Sequence, residues 1–187
     1  QKFLWQAHQS RYNYPMIYLI GGVSRVGKTT LSKIILDKKK IPYISADLLR
    51  NALYHYLGKD LGKWEDRPEF FFPYLSDFIK RANNKYPGGC VIEGDIFLPE
   101  QIASLPQDEI KCIFLGTSNI TLEQIMDNDP DSWVHTMDPE NRKGLADGIM
   151  KKSEMFKNEA EKYGFKYFDI HPDRDSALND AFEYLMN

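Results

Sequence analysis

The eight residues Gly22-Val23-Ser24-Arg25-Val26-Gly27-Lys28-Thr29 constrain the fold of this chain more than any other stretch. Their spacing, G-x-x-x-x-G-K-[ST], is that of a loop that wraps backbone N–H groups around phosphate oxygens and runs straight into a helix N-terminus, where the helix dipole adds partial positive charge. Gly22 and Gly27 permit the tight wrap. Lys28 supplies a point charge for the β- and γ-phosphates, and the Thr29 hydroxyl stands where a Mg²⁺ ligand is needed. Such a loop requires a buried strand before it and an amphipathic helix after it. Ile17-Tyr18-Leu19-Ile20 is a continuous apolar run, and Leu31, Ile34 and Ile35 repeat at helical spacing. The loop and the adjoining Thr30 are therefore the predicted site of a nucleoside triphosphate; the alternative is a glycine-rich turn without a ligand.

Five apolar segments, at 16–21, 42–45, 90–93, 111–115 and 165–170, alternate with helical patterns in the order expected of a parallel sheet covered on both faces. Between the second and third segments, Leu48, Leu49, Ala52, Leu53, Tyr56 and Leu57 mark one helix face. Phe71, Tyr74, Leu75, Phe78 and Ile79 mark another, with Pro73 as a candidate kink. The aromatics of 54–86, including Trp64, Phe70, Phe71, Phe72 and Tyr74, predict core packing, with stacking on a planar substrate as the alternative. Residues 121–128 predict a short helix. The polar stretch 127–143, with Pro130 and Pro139, predicts a long loop of the kind that closes over a nucleotide site. A longer helix carries Leu145, Ile149, Phe156, Ala160 and Tyr163 on one stripe and ends at Gly164, and a last helix over 176–185 buries Ala177, Leu178, Ala181, Phe182 and Leu185.

A length of 187 residues fits a single domain, expected over 16–187, with a helical insert at about 46–87 and a lid at about 127–143. Met16 has the look of a natural start. Residues 1–15 are expected to be an appended tail, with a short ordered extension as the alternative. The balance of 42% hydrophobic and 27% charged residues is ordinary for a globular protein in water. A net charge of −3, with no basic stripe beyond Lys38-Lys39-Lys40, argues against a nucleic-acid partner, and those lysines suit a solvated helix end. No apolar run approaches the roughly 18 residues of a membrane span. Cys90 and Cys112 stand beside or within apolar segments without metal-ligand spacing, so free core thiols and a reducing cytoplasm are expected.

Further candidates cluster where parallel strands end, the edge at which ligands bind such sheets. The second segment runs into Ser45-Ala46-Asp47-Leu48-Leu49-Arg50, placing Asp47 and Arg50 in the first turn of the next helix. Asp47 could orient or deprotonate an acceptor hydroxyl and Arg50 could hold an anionic acceptor; a helix cap and an exposed arginine are the plainer alternative. The third segment closes as Val91-Ile92-Glu93-Gly94-Asp95. Its two acids suit Mg²⁺ or acceptor polarisation, with the division between Glu93 and Asp95 open. In the expected lid, Arg142 and Lys143 are cations able to cover a transferring phosphoryl group, with Arg142 the preferred candidate.

These residues together resemble the adenylate-kinase-like branch of P-loop small-molecule kinases. Ile44-Ser45-Ala46-Asp47-Leu48-Leu49-Arg50 is similar to the acceptor segment of adenylate kinases, in which the matching arginine grips the acceptor phosphate. Val91-Ile92-Glu93-Gly94-Asp95 with Leu98-Pro99 is similar to the third-strand segment of kinases acting on phosphorylated or hydroxylated small molecules, including 2-phosphoglycerate kinases. Phe165-Lys166-Tyr167-Phe168-Asp169-Ile170-His171-Pro172 resembles the last strand and adenine-bordering loop of that branch, which implies ATP as donor. The resemblance covers most of 16–187. It implies an α/β, three-layer P-loop fold with a five-stranded parallel sheet of order 2-3-1-4-5, a helical insert and an arginine-bearing lid. The chain departs from adenylate kinases after Gly94, where Asp95-Ile96-Phe97-Leu98 carries no arginine, and within the loop, where Ser24-Arg25-Val26 and Thr29 replace further glycines.

The leading expectation is an ATP- and Mg²⁺-dependent phosphotransferase acting on a small molecule, with Lys28, Asp47, Arg50, Glu93, Asp95 and Arg142 as its catalytic set and Thr29, Glu93 and Asp95 as metal ligands. A nucleotide switch or motor ATPase competes with it. For a GTPase, the nearest match to a base-reading Asn-Lys-x-Asp string, Asn84-Lys85-Tyr86-Pro87, fails at its last position, and no transporter-type Ser-Gly-Gly signature occurs. A nucleotide binder without turnover is the third reading.

Overall fold

A computed structural model gives the structure of the chain and describes residues 17–58, 67–86, 88–127 and 133–187. Strand β1 (Ile17–Gly22) is buried at every position and occupies the middle of a five-stranded sheet. Its unbroken apolar run fits a strand that contacts protein on both faces. β2 (Tyr43–Ser45), β3 (Cys90–Glu93), β4 (Ile110–Gly116) and β5 (Lys166–Asp169) complete the sheet in the order β2-β3-β1-β4-β5, every pair parallel. In register, Ile20 stands opposite both Glu93 and Ile113, and Ser45 opposite Glu93, so the ends of β1, β2 and β3 share one edge. This is the predicted sheet, with no strand end displaced by more than one residue.

Helices cover both faces. Helix α1 (Lys28–Lys39) packs its Leu31 and Ile35 inward, and the last helix, α9 (Arg174–Met186), packs on α1 and on β4 and β5. Helix α8 (Leu145–Lys162) lies against β4 and β5, where Phe156 stacks on Phe114 with ring centroids 5.7 Å apart. Between them run α2 (Ala46–Tyr56), α3 (Arg67–Lys85), α4 (Pro99–Ala103), α5 (Leu122–Asp127), α6 (Trp133–Thr136) and α7 (Pro139–Lys143). Cys90 and Cys112 are both free and buried, as expected of core thiols.

Some local expectations change. The fully buried positions of α2 are Ala46, Arg50 and Tyr54; of the expected face, Leu49 and Leu53 pack partly against the core, while Leu48 is 70% exposed and Tyr56 86%. Arg50 turns inward because acids at the ends of β2 and β3 receive it. The expected long loop at 127–143 contains α6 and α7, and Asp138 caps the latter by accepting from the Glu140 N–H while Pro139 opens its first turn. Lys38, Lys39 and Lys40 are exposed at the end of α1, as expected, with Lys38 4.6 Å above the Phe182 ring. Phe71, Leu75 and Ile79 of α3 enter the core as expected, with Pro73 inside the helix, while Tyr74, expected on the same face, is 46% exposed, and Phe70 meets Tyr54 in a T-shaped contact and Tyr74 in a tilted one. Residues 1–15, Met16 and Trp64 lie outside the described residues.

Candidate active site

The loop between β1 and α1 owes its shape to its glycines. Gly22 has φ 115°, and a side chain there would collide with the backbone carbonyl of Leu115, whose oxygen accepts from the Val23 N–H at 3.2 Å. Gly27, at φ 96°, is the N-cap of α1, and no side chain caps that helix. The first N–H groups of α1 are thus left to a ligand, at the positive end of the helix dipole. Lys28 is only 6% exposed and arches back to donate to the Val23 carbonyl at 2.6 Å, holding its charge across the mouth of the loop.

The two acids after β3 divide between different partners. Glu93 is 4% exposed and its Oε1 accepts from the Thr29 hydroxyl at 3.3 Å. Asp95 faces elsewhere: its Oδ2 accepts from the Ser24 hydroxyl at 2.9 Å, and its Oδ1 lies 3.6 Å from Arg50 Nη1. The same Nη1 lies 3.5 Å from Asp47 Oδ1. Gly94 makes this gathering possible, because a Cβ there would stand 3.0 Å from Ala46 and 3.6 Å from Asp47.

Burial, and then the neighbouring charge of Asp95, push the Asp47 carboxyl up to about 7. Burial opposes ionisation of Asp95 too, but Lys28 and hydrogen bonds from Asp47 and Ser24 hold it below the usual carboxylate range, with Arg50 adding to the effect. Asp47 Oδ1 and Asp95 Oδ1 are buried with no donor unless one acid carries a proton between them, and Arg50 Nη1 is likewise without a hydrogen-bond acceptor at normal distance. Near neutral pH the pair therefore shares a proton.

A cleft of about 440 Å³ opens in front of the loop, lined among others by Ser24, Arg25, Asp95, Asn141, Lys152 and Phe156. Loop residues and Asp95 were expected here; Asn141 and Lys152 were not. The sequence carried one signal for Lys152, a lysine on the α8 stripe between Ile149 and Phe156, where an apolar residue would otherwise continue the pattern. The structure does not bring Arg142 to the other candidates. Its Nη2 donates to the carbonyls of His135 at 2.9 Å and Met137 at 2.7 Å, and Lys143 pairs with Glu140 at 2.7 Å.

On the other side of the loop, Arg174 Nη2 donates to the Thr30 hydroxyl at 3.1 Å, its guanidinium lies over Gly27, and its Nε is buried without a partner. Arg174 follows the turn in which Asp169 accepts from the Ser118 and His171 N–H groups at 2.9 and 3.0 Å. Its sequence position, 144 residues from Thr30, gave no sign of the contact.

The sheet order, the loop between β1 and α1 and the helices on both faces define the fold of P-loop small-molecule kinases of the adenylate-kinase-like kind. Among solved structures the chain is similar to a gluconokinase from Sinorhizobium meliloti 1021, with a TM-score of 0.61 at 15% identity over 94% of each chain. A deoxyadenosine kinase from M. mycoides matches with a TM-score of 0.53 at 16% identity, over 91% of this chain and 99% of that one. A shikimate kinase from Bacteroides thetaiotaomicron gives a TM-score of 0.51 at 17% identity, over 91% and 98%. No family model matches the sequence, and no curated protein matches it significantly.

Proposed function

We propose that this chain is a kinase that transfers the γ-phosphoryl group of Mg·ATP to a small molecule in a reducing cytoplasm. The observation that carries the reading is the 2.9 Å contact between Ser24 and Asp95, which joins the phosphate loop directly to the buried Asp47–Arg50–Asp95 group. A loop that only held nucleotide would not require a second, charged site within one hydrogen bond of it. The three similar structures named above carry the names of kinases, which agrees with this reading.

The loop N–H groups of residues 22–28 and Lys28 receive the β- and γ-phosphates, and Thr30 with Arg174 borders the α-phosphate side. Thr29 and Glu93 fit Mg²⁺: both offer hard oxygen, they already face each other at 3.3 Å, and among the described residues no group of three or more His, Cys, Asp or Glu is gathered for a metal. A two-ligand protein site completed by phosphates and water is how Mg²⁺ is usually held. When bound, the ion neutralises charge that develops on the phosphate oxygens. Asp95 belongs to the acceptor side by its contacts, with Asp47 as proton acceptor and Arg50 fixing both acids. Lys152 and Arg25 line the cleft where the transferring group passes, which assigns Lys152 the covering role expected of Arg142.

Burial pushes the Cys90 thiol up to about 11 and the Cys112 thiol well above its ordinary value, so both are inert packing groups suited to a reducing compartment. No helix among the described residues is long and apolar enough to cross a membrane.

The test is ADP release from Mg·ATP by wild type and Lys28→Ala across nucleosides, nucleoside monophosphates, sugars, sugar phosphates and hydroxylated antibiotics, beside ATP binding by calorimetry. Acceptor-stimulated release that Lys28→Ala abolishes supports the kinase. ATP binding with no acceptor-stimulated release across the panel counts against it.

A further inference from the structure

We infer that the acceptor is an alcohol: the phosphoryl group goes to a hydroxyl oxygen seated between Asp47 and Asp95, and Arg50 positions those two carboxylates instead of gripping an anionic acceptor. The inference rests on the kinase reading and narrows it. An arginine that binds a phosphate monoester offers an open, planar fork to the incoming oxygens. Arg50 offers none. Its Nη1 stands between Asp47 Oδ1 at 3.5 Å and Asp95 Oδ1 at 3.6 Å, its Nε and Nη2 both donate to Asn51 Oδ1 at 3.2 and 3.1 Å, and its side chain is 8% exposed.

Charge points the same way. Two acids that share one proton near neutral pH surround one guanidinium, so the remaining carboxylate already balances the Arg50 charge, and a phosphate dianion brought to Arg50 meets that like charge at contact distance. Among the described residues, the segment after β3 adds no cation: Ile96 and Phe97 are fully buried in the core. The polar atoms with no ordinary hydrogen bond at this spot are two carboxylate oxygens, Asp47 Oδ1 and Asp95 Oδ1, and Arg50 Nη1, so a ligand seated among them must accept and must also bring a donor. An alcohol O–H supplies one; an ionised phosphate monoester has none.

The reaction is then balanced as follows. The alcohol oxygen forms a bond to the γ-phosphorus, the bond from that phosphorus to the β,γ-bridging oxygen breaks, and ADP leaves with the electron pair. The hydroxyl proton passes to the Asp47 carboxylate and from there to water. Asp95, tied to Ser24 of the loop, fixes the hydroxyl relative to the phosphate site.

Two measurements test this. The first is ³¹P NMR of products from the acceptor panel, which separates phosphate monoesters from phosphoanhydrides. Monoester products from neutral polyols or nucleosides are expected, with Asp47→Asn lowering kcat by about 10²- to 10⁴-fold while ATP binding is unchanged. An anhydride formed from a nucleoside monophosphate as the preferred reaction overturns the inference while leaving the kinase reading intact; no Lys28-dependent product at all removes both. The second needs no turnover: titration of inorganic phosphate into protein filled with Mg·ADP, wild type beside Arg50→Gln and Arg50→Lys. Phosphate affinity that ignores both substitutions is expected. Binding lost in Arg50→Gln and kept in Arg50→Lys identifies an anion grip and overturns the inference.

Discussion

Replacing Asp47 with asparagine separates the catalytic strain in this site from its contribution to stability. In the folded chain the Asp47 carboxyl titrates at about 7, against 3.8 when unfolded, because burial and the charge of Asp95 disfavour its ionised form. The folded state therefore binds more protons than the unfolded state between those values. The sign follows: Asp47 contributes its full stability below about pH 4, and that contribution is lost as pH rises through 7. One proton corresponds to at most about 1.4 kcal/mol per pH unit, or roughly 3–6 °C in Tm for a domain of this size. A third of the side chain is exposed, so solvent screening keeps the realised loss below that ceiling. Asparagine is isosteric and carries no charge to bury. Asp47→Asn is thus expected to match or exceed the wild-type Tm at pH 8, to flatten the fall in Tm between pH 5 and 8, and to lower kcat by about 10²- to 10⁴-fold, equivalent to some 3–5 kcal/mol of barrier. Differential scanning calorimetry across pH, beside steady-state kinetics, reads both effects. A variant that melts several degrees below wild type at pH 8 with unchanged kcat would refute the reasoning, since Asp47 would then be a structural acid.

The wild-type activity is expected to rise as pH climbs through about 7, when Asp47 loses its proton, and a pH–rate profile flat from 5.5 to 8.5 contradicts that role. Arg174→Gln should weaken ATP binding about tenfold or more, by removing a charged donor beside Thr30, while the acceptor KM stays put; calorimetric titration with ATP reads the first effect and kinetics the second. For Lys152→Met, kcat should fall by two orders of magnitude or more with ATP affinity unchanged, and an unaltered kcat would remove Lys152 from the reaction. Gly22→Ala forces a Cβ into the Leu115 carbonyl at φ 115°, so loss of ATP binding together with a Tm drop of several degrees is expected by thermal melting.

The sheet was legible because each strand is an apolar run bounded by turns and the phosphate loop fixes which strand precedes α1. Asp47, Arg50, Glu93 and Asp95 were legible for the same reason: their chemistry stands where strands end. Side-chain direction was less accessible. On α2 periodicity alone turns all the leucines inward, and Leu49 and Leu53 do pack against the core, yet Leu48 points to solvent and Arg50 is buried. That reversal depends on Asp95, 45 positions away, which no local pattern reports. The helix α7 was signalled by Asp138-Pro139, an N-cap followed by a first-turn proline, but the surrounding polar composition hid it. Arg142 has the composition of a covering cation, and its carbonyl contacts to His135 and Met137 arise from the turn it closes. Lys152 and Arg174 reach the site from α8 and α9, elements whose approach is set by packing on β4 and β5.

The most direct measurement of the central claim is the fate of the γ-phosphate itself, followed by ³¹P NMR as the protein is incubated with Mg·ATP and a mixture of unphosphorylated alcohols. The account predicts a new phosphate-monoester signal growing in step with ADP, absent in Lys28→Ala. Inorganic phosphate as the sole product, at a rate indifferent to every alcohol, would contradict it.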